Sequence, residues 1–187
     1  MDNGKVWKLN LPNLLTLIRI ILTPLLVILL INSKFLEALI VFTIAGITDG
    51  LDGLIARCMR QKTRIGAILD PIADKLLLTS AYVTLAVIGF LPGWLAVTVI
   101  SRDMIIVFGV LILFLFQGGV EIHPSVLSKI TTVTQLGTIF IVLADYNLVL
   151  FNQILPFLYI VTALITIISG LHYMYLGTQF LGSDENS

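Results

Sequence analysis

Charged residues are scarce in this chain, and their scarcity excludes an ordinary soluble domain. Only 12% of the 187 residues are Asp, Glu, Lys or Arg, whereas 58% are hydrophobic, and the mean hydropathy is +1.05. Soluble domains carry about 25% charged residues. The composition therefore predicts a polytopic helical membrane protein. The formal net charge is zero, so no overall field favours nucleic acid as a partner.

Cysteine and targeting signals are also nearly absent. Cys58 is the only cysteine, which excludes an internal disulfide bond. The N-terminal residues MDNGKVWKLNLPN contain no short apolar core with a small-residue cleavage site, and they are not rich in Arg and Ser. Neither a secretory signal nor an organelle transit peptide is therefore predicted. We expect a protein of the bacterial inner membrane.

Apolar runs long enough to cross the hydrocarbon core of a bilayer, about 20 residues each, account for nearly the whole chain. Six spans are predicted, at residues 13–32, 35–57, 66–90, 92–117, 125–145 and 148–176. The expected fold class is all-α, with six transmembrane helices in one membrane domain of residues 1–187. Trp7 beside Lys5 and Lys8 predicts a short interfacial segment before the first span.

Basic residues are distributed unequally between the two sides of the predicted membrane. The side shared by the N-terminus and the loop after the second span holds six of them, namely Lys5, Lys8, Arg57, Arg60, Lys62 and Arg64. The opposite side holds Lys34 alone. Because cytoplasmic loops carry the excess of Lys and Arg, both termini and this loop are predicted to face the cytoplasm.

Acidic residues are concentrated between Asp49 and Lys75, inside two otherwise apolar segments. Asp49 and Asp52 share one face of the second span, and Asp70 and Asp74 share one face of the third. An intramembrane charge is costly unless a partner or an ion compensates it. The acids therefore predict a cation site below the cytoplasmic surface. Ligation by oxygen alone favours Mg²⁺, Mn²⁺ or Ca²⁺ over zinc, and four carboxylates suit two ions that clamp a phosphoryl group.

Five of the other charges inside the predicted spans are expected to line a shared polar cavity with these acids. They are Arg19, Lys75, Arg102, Asp103 and Lys129. Two roles are predicted equally for Arg19: it contacts a phosphate group, or it is an ion partner for the acids. Arg102 and Asp103 are adjacent and project about 100° apart on a helix, which predicts partners on other helices. Lys129 lies beside a polar stripe of the fifth span and is a candidate anchor for an anion. The alternative to a cation site is that the four acids have a structural role and form ion pairs with Lys75 and Arg57.

The acidic stretch resembles the signature of a known family. The pattern Asp49-x2-Asp52-Gly53-x2-Ala56-Arg57-x8-Gly66-x3-Asp70-x3-Asp74 is similar to that of the CDP-alcohol phosphatidyltransferases at every fixed position. Similarity extends to Pro12-Asn13-x2-Thr16-x2-Arg19, Ser101-Arg102-Asp103 and Ser128-Lys129-x2-Thr132-x2-Gln135. The resemblance implies a homodimeric membrane enzyme of six helices, in which an alcohol displaces CMP from a CDP-linked lipid.

The same resemblance implies roles for individual residues. Two ions, Mg²⁺ or Mn²⁺, would be held by Asp49, Asp52, Asp70 and Asp74. Asp74 would also be the catalytic general base on the acceptor hydroxyl. The residues around the CDP-lipid would be Asn13, Thr16, Gly53, Ala56, Arg57 and Gly66. Arg102 would lie at the acceptor pocket.

The number of cations inside the spans bears on the acceptor. Arg19, Arg102 and Lys129 exceed what a CDP group needs, so the acceptor is expected to carry its own phosphate. Glycerol 3-phosphate, giving phosphatidylglycerophosphate, is the first expectation. Phosphatidylglycerol, giving cardiolipin, is the alternative, and Ser101-Arg102-Asp103 with Ser128-Lys129 leans toward it by resemblance. A small ion transporter with an acidic intramembrane site is a different class, but the chain holds no second copy of the acidic motif.

The predicted orientation can be tested by cysteine labelling. In a Cys58→Ser background, a Lys62→Cys probe should react with an impermeant reagent only when the cytoplasmic face is opened, because Lys62 lies in the basic loop. A Lys34→Cys probe should react in intact cells. The opposite pattern of labelling would invert the topology.

Overall fold

The computed structural model describes the backbone of residues 11–59, 64–117, 126–148 and 153–183, and the side chains of residues 14, 16–48, 72–109, 126–146 and 153–176. Within these ranges the regular structure is entirely helical. The helices are α1 (Leu11–Ile31), α2 (Phe35–Met59), α3 (Arg64–Val87), α4 (Gly93–Gln117), α5 (Val126–Leu148) and α6 (Leu155–Ser183). The all-α class with six helices is therefore confirmed for the described residues.

The chain divides into two compact units, Met1–Thr84 and Leu85–Ser187. In the first unit α1 packs against α2, and Leu26, Leu30 and Ala38 are almost completely buried. In the second unit α6 packs against both α4 and α5. The organisation as one membrane domain stays a prediction.

The second unit buries polar side chains and exposes large apolar ones. Between α5 and α6, the hydroxyls of Thr138 and Thr162 lie 2.7 Å apart, and Gln135 Nε2 donates to Thr166 Oγ1 at 3.2 Å. These four side chains are fully buried, whereas Val133 on α5 is largely exposed. Small polar residues between helices and apolar residues on the outside are the arrangement of helices packed in lipid.

Two helical stretches are long and apolar enough to cross a membrane among the described residues, Val126–Tyr146 and Leu155–Leu176. Shorter apolar stretches occupy Thr16–Ile31 of α1 and Phe35–Thr48 of α2. Each of the six predicted spans thus corresponds to a helix. Two of the six helices contain a described stretch that is long and apolar enough to cross a membrane. The predicted interfacial segment around Trp7 lies outside the described residues.

The turn between α1 and α2 confirms the boundary predicted at Asn32 and Ser33. Lys34 N–H donates to the Leu29 carbonyl at 2.9 Å, and Ser33 N–H donates to the Leu30 carbonyl at 3.0 Å. Ser33 has a φ of 57°, the left-handed conformation that this helix-ending motif requires. The two bonds satisfy carbonyl groups that the helix leaves without partners.

Several other boundaries differ from the prediction, and two of them have a local cause. Helix α3 ends at Val87 rather than at residue 90, because Gly89 adopts a φ of 84° and Phe90 N–H bonds back to the Leu85 carbonyl at 2.9 Å. Helix α6 begins at Leu155 rather than at residue 148. Pro156 then lies in its first turn, where a missing N–H costs nothing.

Alanine substitution should have opposite effects at two glycines. Gly89→Ala should lower the free energy of unfolding by roughly 1–2 kcal/mol, because a side chain is disfavoured at positive φ. Gly46→Ala, inside α2, should raise it by roughly 0.5–1 kcal/mol. A Cβ at either position meets no described atom within 4 Å, so packing does not confound the pair. Unfolding in mixed micelles measures the change in the free energy of unfolding for both variants. A change of the same sign in the two variants would contradict the assignment of the turn.

Candidate active site

The predicted metal cluster belongs to the second half of α2 and the first half of α3. Several of its members and neighbours have side chains outside the described residues, namely Asn13, Asp49, Asp52, Gly53, Ala56, Arg57, Gly66 and Asp70. Among the described residues, no group of three or more His, Cys, Asp or Glu could hold a metal ion. The metal site therefore stays a prediction.

Asp74, the described member of the acidic cluster, forms an ion pair with Arg19. Arg19 Nη1 on α1 donates to Asp74 Oδ1 on α3. The Arg19 side chain is 1% exposed, whereas that of Asp74 is 36% exposed. The structure thus gives Arg19 one of its two predicted roles, that of ion partner for the acids. A carboxylate offers about four acceptor positions, so this contact is compatible with a metal or substrate contact as well.

The surroundings of Arg19 are polar although they are buried. Thr16, a predicted contact of the CDP-lipid, lies one helical turn earlier and is completely buried. Thr23, one turn later, donates its hydroxyl to the Arg19 carbonyl at 2.9 Å. The first unit therefore presents a line of buried polar groups along α1, and the cation in the middle of this line faces a partly exposed carboxylate.

Arg102 is the centre of a second polar cluster, in the other unit. Its Nη1 donates to Asp103 Oδ1 at 2.8 Å, and its Nη2 donates to Ser128 Oγ at 2.7 Å and Ser169 Oγ at 3.0 Å. The residue is 3% exposed. A Cβ added at Gly170 would lie 3.5 Å from Arg102 Cγ, so α6 passes close to this arginine. One guanidinium therefore connects α4, α5 and α6.

This cluster corrects part of the prediction for the Arg102–Asp103 pair. Arg102 does reach other helices, but it also pairs with its own neighbour in sequence. A long arginine side chain spans the angle of about 100° between adjacent helical positions, which spacing along the helix alone does not reveal.

The polar stripe of α5 is buried only toward its middle. Gln135 is buried, Ser128 and Thr132 are half-buried, and Lys129 is exposed. Lys129 is exposed in the first turn of α5, and its part in a polar cavity shared with the other charges stays a prediction. Its neighbour Ser128 nevertheless contacts Arg102 directly.

Two polar residues in the second unit were absent from the sequence-based candidates. Ser169 follows Thr162 and Thr166 at helical spacing, so the three form one polar face of α6 that the sequence displays. Asp145 lies within the predicted fifth span and is buried near the end of α5. Both were detectable as polar residues inside apolar runs.

Comparison with known proteins agrees with the signature. The profile of the CDP-alcohol phosphatidyltransferase family matches residues 9–170. Over 91% of its length the chain is 33% identical to the CMP-forming cardiolipin synthase of Rattus norvegicus, of which it spans 62%. Over 53% of its length it is 45% identical to the CDP-diacylglycerol–glycerol-3-phosphate 3-phosphatidyltransferase of Haemophilus influenzae, of which it spans 56%. Over 92% of its length it is 31% identical to the Aquifex aeolicus enzyme of the same name, of which it spans 98%.

The Arg19–Asp74 pair should be coupled more strongly than an ion pair at the surface. A double-mutant cycle with Arg19→Gln and Asp74→Asn should give a coupling of roughly 1–3 kcal/mol, reduced from that of a fully buried pair because Asp74 is partly exposed. The control cycle uses Lys34→Gln and Glu37→Gln, whose exposed partners lie 3.3 Å apart and should couple by about 0.2–0.5 kcal/mol. Equal couplings, measured by unfolding in mixed micelles, would contradict the burial of the pair.

Proposed function

The chain belongs to the CDP-alcohol phosphatidyltransferase family, and we propose that it transfers the phosphatidyl group of CDP-diacylglycerol to glycerol 3-phosphate. The products are CMP and phosphatidylglycerophosphate. The observation that carries this proposal is the family match over residues 9–170, which includes the whole acidic signature from Asp49 to Asp74.

The choice of acceptor rests on relatives and on charge. The Aquifex aeolicus protein, of which the chain spans 98%, is named for transfer to glycerol 3-phosphate. Arg102 and Lys129 provide cations beyond those that a CDP group needs, which favours an acceptor with its own phosphate. The runner-up acceptor is phosphatidylglycerol, giving cardiolipin. It is favoured by the Ser101-Arg102-Asp103 sequence and by 33% identity to the cardiolipin synthase of Rattus norvegicus.

The proposed cofactor is a pair of Mg²⁺ or Mn²⁺ ions. The donor set of Asp49, Asp52, Asp70 and Asp74 is made of carboxylates alone, which fits these hard cations. In the structure the Asp74 carboxylate is partly exposed, so it can accept a further ligand. When bound, such ions stabilise negative charge on the phosphoryl oxygens and on the departing CMP.

The reaction is proposed to be a direct displacement. The acceptor hydroxyl attacks the phosphorus that carries the diacylglycerol, a new P–O bond forms, and the P–O bond to CMP breaks. Asp74 takes the hydroxyl proton as general base. Arg19 orients the Asp74 carboxylate through its ion pair. The CDP-lipid is proposed to contact Asn13, Thr16, Gly53, Ala56, Arg57 and Gly66.

Arg102 and Lys129 are proposed to bind the phosphate of the acceptor. In the structure Arg102 Nη2 is held by the hydroxyls of Ser128 and Ser169. A phosphate can replace these neutral acceptors because hydrogen bonds between a guanidinium and an anion are stronger. Lys129 is exposed in the first turn of α5, so its ammonium group can contact the phosphate while the acceptor binds.

The proposed setting is the bacterial inner membrane, with six spans, an interfacial N-terminal segment, both termini in the cytoplasm, and a homodimer as the assembly. Support comes from the helices that pass the length and hydropathy test and from the exposed apolar residues on them. An ion transporter would need no CDP-lipid. Release of CMP from CDP-diacylglycerol that depends on a divalent ion separates the two classes.

The acceptor can be tested on purified protein supplied with CDP-diacylglycerol and Mg²⁺ or Mn²⁺. With each acceptor offered separately, phosphatidylglycerophosphate should form. Arg102→Ala and Lys129→Ala should each raise the acceptor KM more than the KM for the CDP-lipid, since each loses a charge-assisted contact of roughly 1.5–3 kcal/mol. Ser169→Ala should shift the same KM by a smaller factor, because it removes a neutral hydrogen bond of about 0.5–1.5 kcal/mol.

Two further variants serve as controls in this assay. Thr134→Val removes a hydroxyl that donates to the Ile130 carbonyl of its own helix at 2.9 Å, and it should leave both KM values unchanged. Asp70→Asn should lower turnover by at least ~10³-fold, the scale expected for removing a preorganised charge.

Consumption of phosphatidylglycerol alone, with cardiolipin as the product, would contradict glycerol 3-phosphate as the acceptor and favour the runner-up, phosphatidylglycerol.

A further inference from the structure

A cavity of about 500 Å³ lies in the second unit, where the α3–α4 turn meets the end of α5 and the start of α6. Its described lining includes Phe90, Val142, Asp145, Tyr146, Leu155 and Tyr159. Asp145 is 17 residues after Ser128 on α5, which is about 25 Å along the helix. The cavity is therefore separate from the Arg102 cluster.

Asp145 gives this cavity its charge. Its side chain is 9% exposed, and among the described lining residues it is the one that is charged at neutral pH. It lies in the last turn of α5, whose C-terminal carbonyls add partial negative charge. The described lining residues therefore contribute negative charge, which favours a cation over an anion as the ligand.

Three aromatic rings decide which kind of cation fits. Phe90 and Tyr146 contact each other edge to face, with ring centroids 5.1 Å apart and an interplanar angle of 80°. The Tyr159 hydroxyl donates a hydrogen bond to the Phe90 carbonyl at 3.3 Å, and its oxygen keeps lone pairs that can accept a hydrogen bond from a ligand. Aromatic faces attract organic cations, and most strongly where water is excluded.

A divalent metal ion does not fit the described lining residues. Mg²⁺ and Ca²⁺ take six or more oxygen ligands, whereas these residues offer one carboxylate beside apolar side chains such as Val142 and Leu155. A weakly hydrated cation with carbon substituents matches both the charge and the apolar walls. The volume also falls within the range of sites that take small molecules.

We propose that this cavity binds an organic ammonium group, with Asp145 as its counter-ion and Phe90, Tyr146 and Tyr159 around its carbon substituents. The ammonium group belongs either to a lipid head group or to a free amine, and both present the same chemistry. The site is independent of the choice of acceptor, since none of its lining residues has a role in the proposed reaction.

The test uses the full chain in nanodiscs of phosphatidylglycerol, at constant Mg²⁺. Choline chloride or ethanolamine hydrochloride is titrated against sodium chloride at equal ionic strength, and Tm is followed by tryptophan fluorescence. An organic ammonium ion should raise Tm saturably, since a ligand of the folded state stabilises it by mass action, and sodium should not. Replacing part of the phosphatidylglycerol by phosphatidylethanolamine identifies a lipid head group if only that change raises Tm.

Substitutions locate the effect. Asp145→Asn should weaken the apparent affinity for the organic ammonium ion at least tenfold, and Tyr146→Leu should weaken it several-fold. Tyr146→Phe should retain this affinity. Glu37→Gln, which removes a carboxylate from the exposed pair with Lys34, should leave it unchanged. An equal response to sodium, or an undiminished ammonium response in Asp145→Asn, would overturn the proposal. If Asp145→Asn does not fold, the test relies on Tyr146→Leu. An unchanged affinity of that variant for the ammonium ion would then overturn the proposal.

Discussion

A guanidinium group removed from water must be given hydrogen-bond acceptors, and this requirement organises the described parts of both units. Arg19 and Arg102 are almost completely buried, and each contacts an aspartate. An uncompensated charge in hydrocarbon costs several kcal/mol or more. The helices that carry these arginines can therefore pack only where a carboxylate or hydroxyl faces them. The polar contacts thus determine which helix faces pack together, while the apolar surface determines where the protein resides.

The two arginines solve the same problem in different ways. Arg19 faces a carboxylate that remains partly exposed, so its partner can still receive a proton or another ligand. Arg102 is surrounded by one carboxylate and two serine hydroxyls from neighbouring helices. The first arrangement suits a residue that orients a reacting group. The second suits a residue that holds three helices together.

Helix packing in the second unit follows from the same lack of water. Hydroxyl and amide groups on α5 and α6 bond to each other, and many of the threonine hydroxyls also bond to the carbonyl one turn earlier on their own helix. Such contacts are individually modest in a membrane, about 0.6 kcal/mol on average. Repeated along one face, they favour one register of α6 against α5. Ser169 continues the same face and delivers a hydroxyl to Arg102.

The sequence by itself determined the helical class, the number of helices and the acidic signature, because these depend on local composition and on spacing along one helix. It also located the turn at Asn32 and Ser33. Only the tertiary structure showed that Arg19 pairs with Asp74, since that contact depends on which helix lies opposite. The same holds for the pairing of Arg102 with Asp103 and Ser169, and for the exposure of Lys129. The early end of α3 required a backbone angle at Gly89, and the aromatic cavity around Asp145 required three chain segments to meet, neither of which a linear pattern encodes.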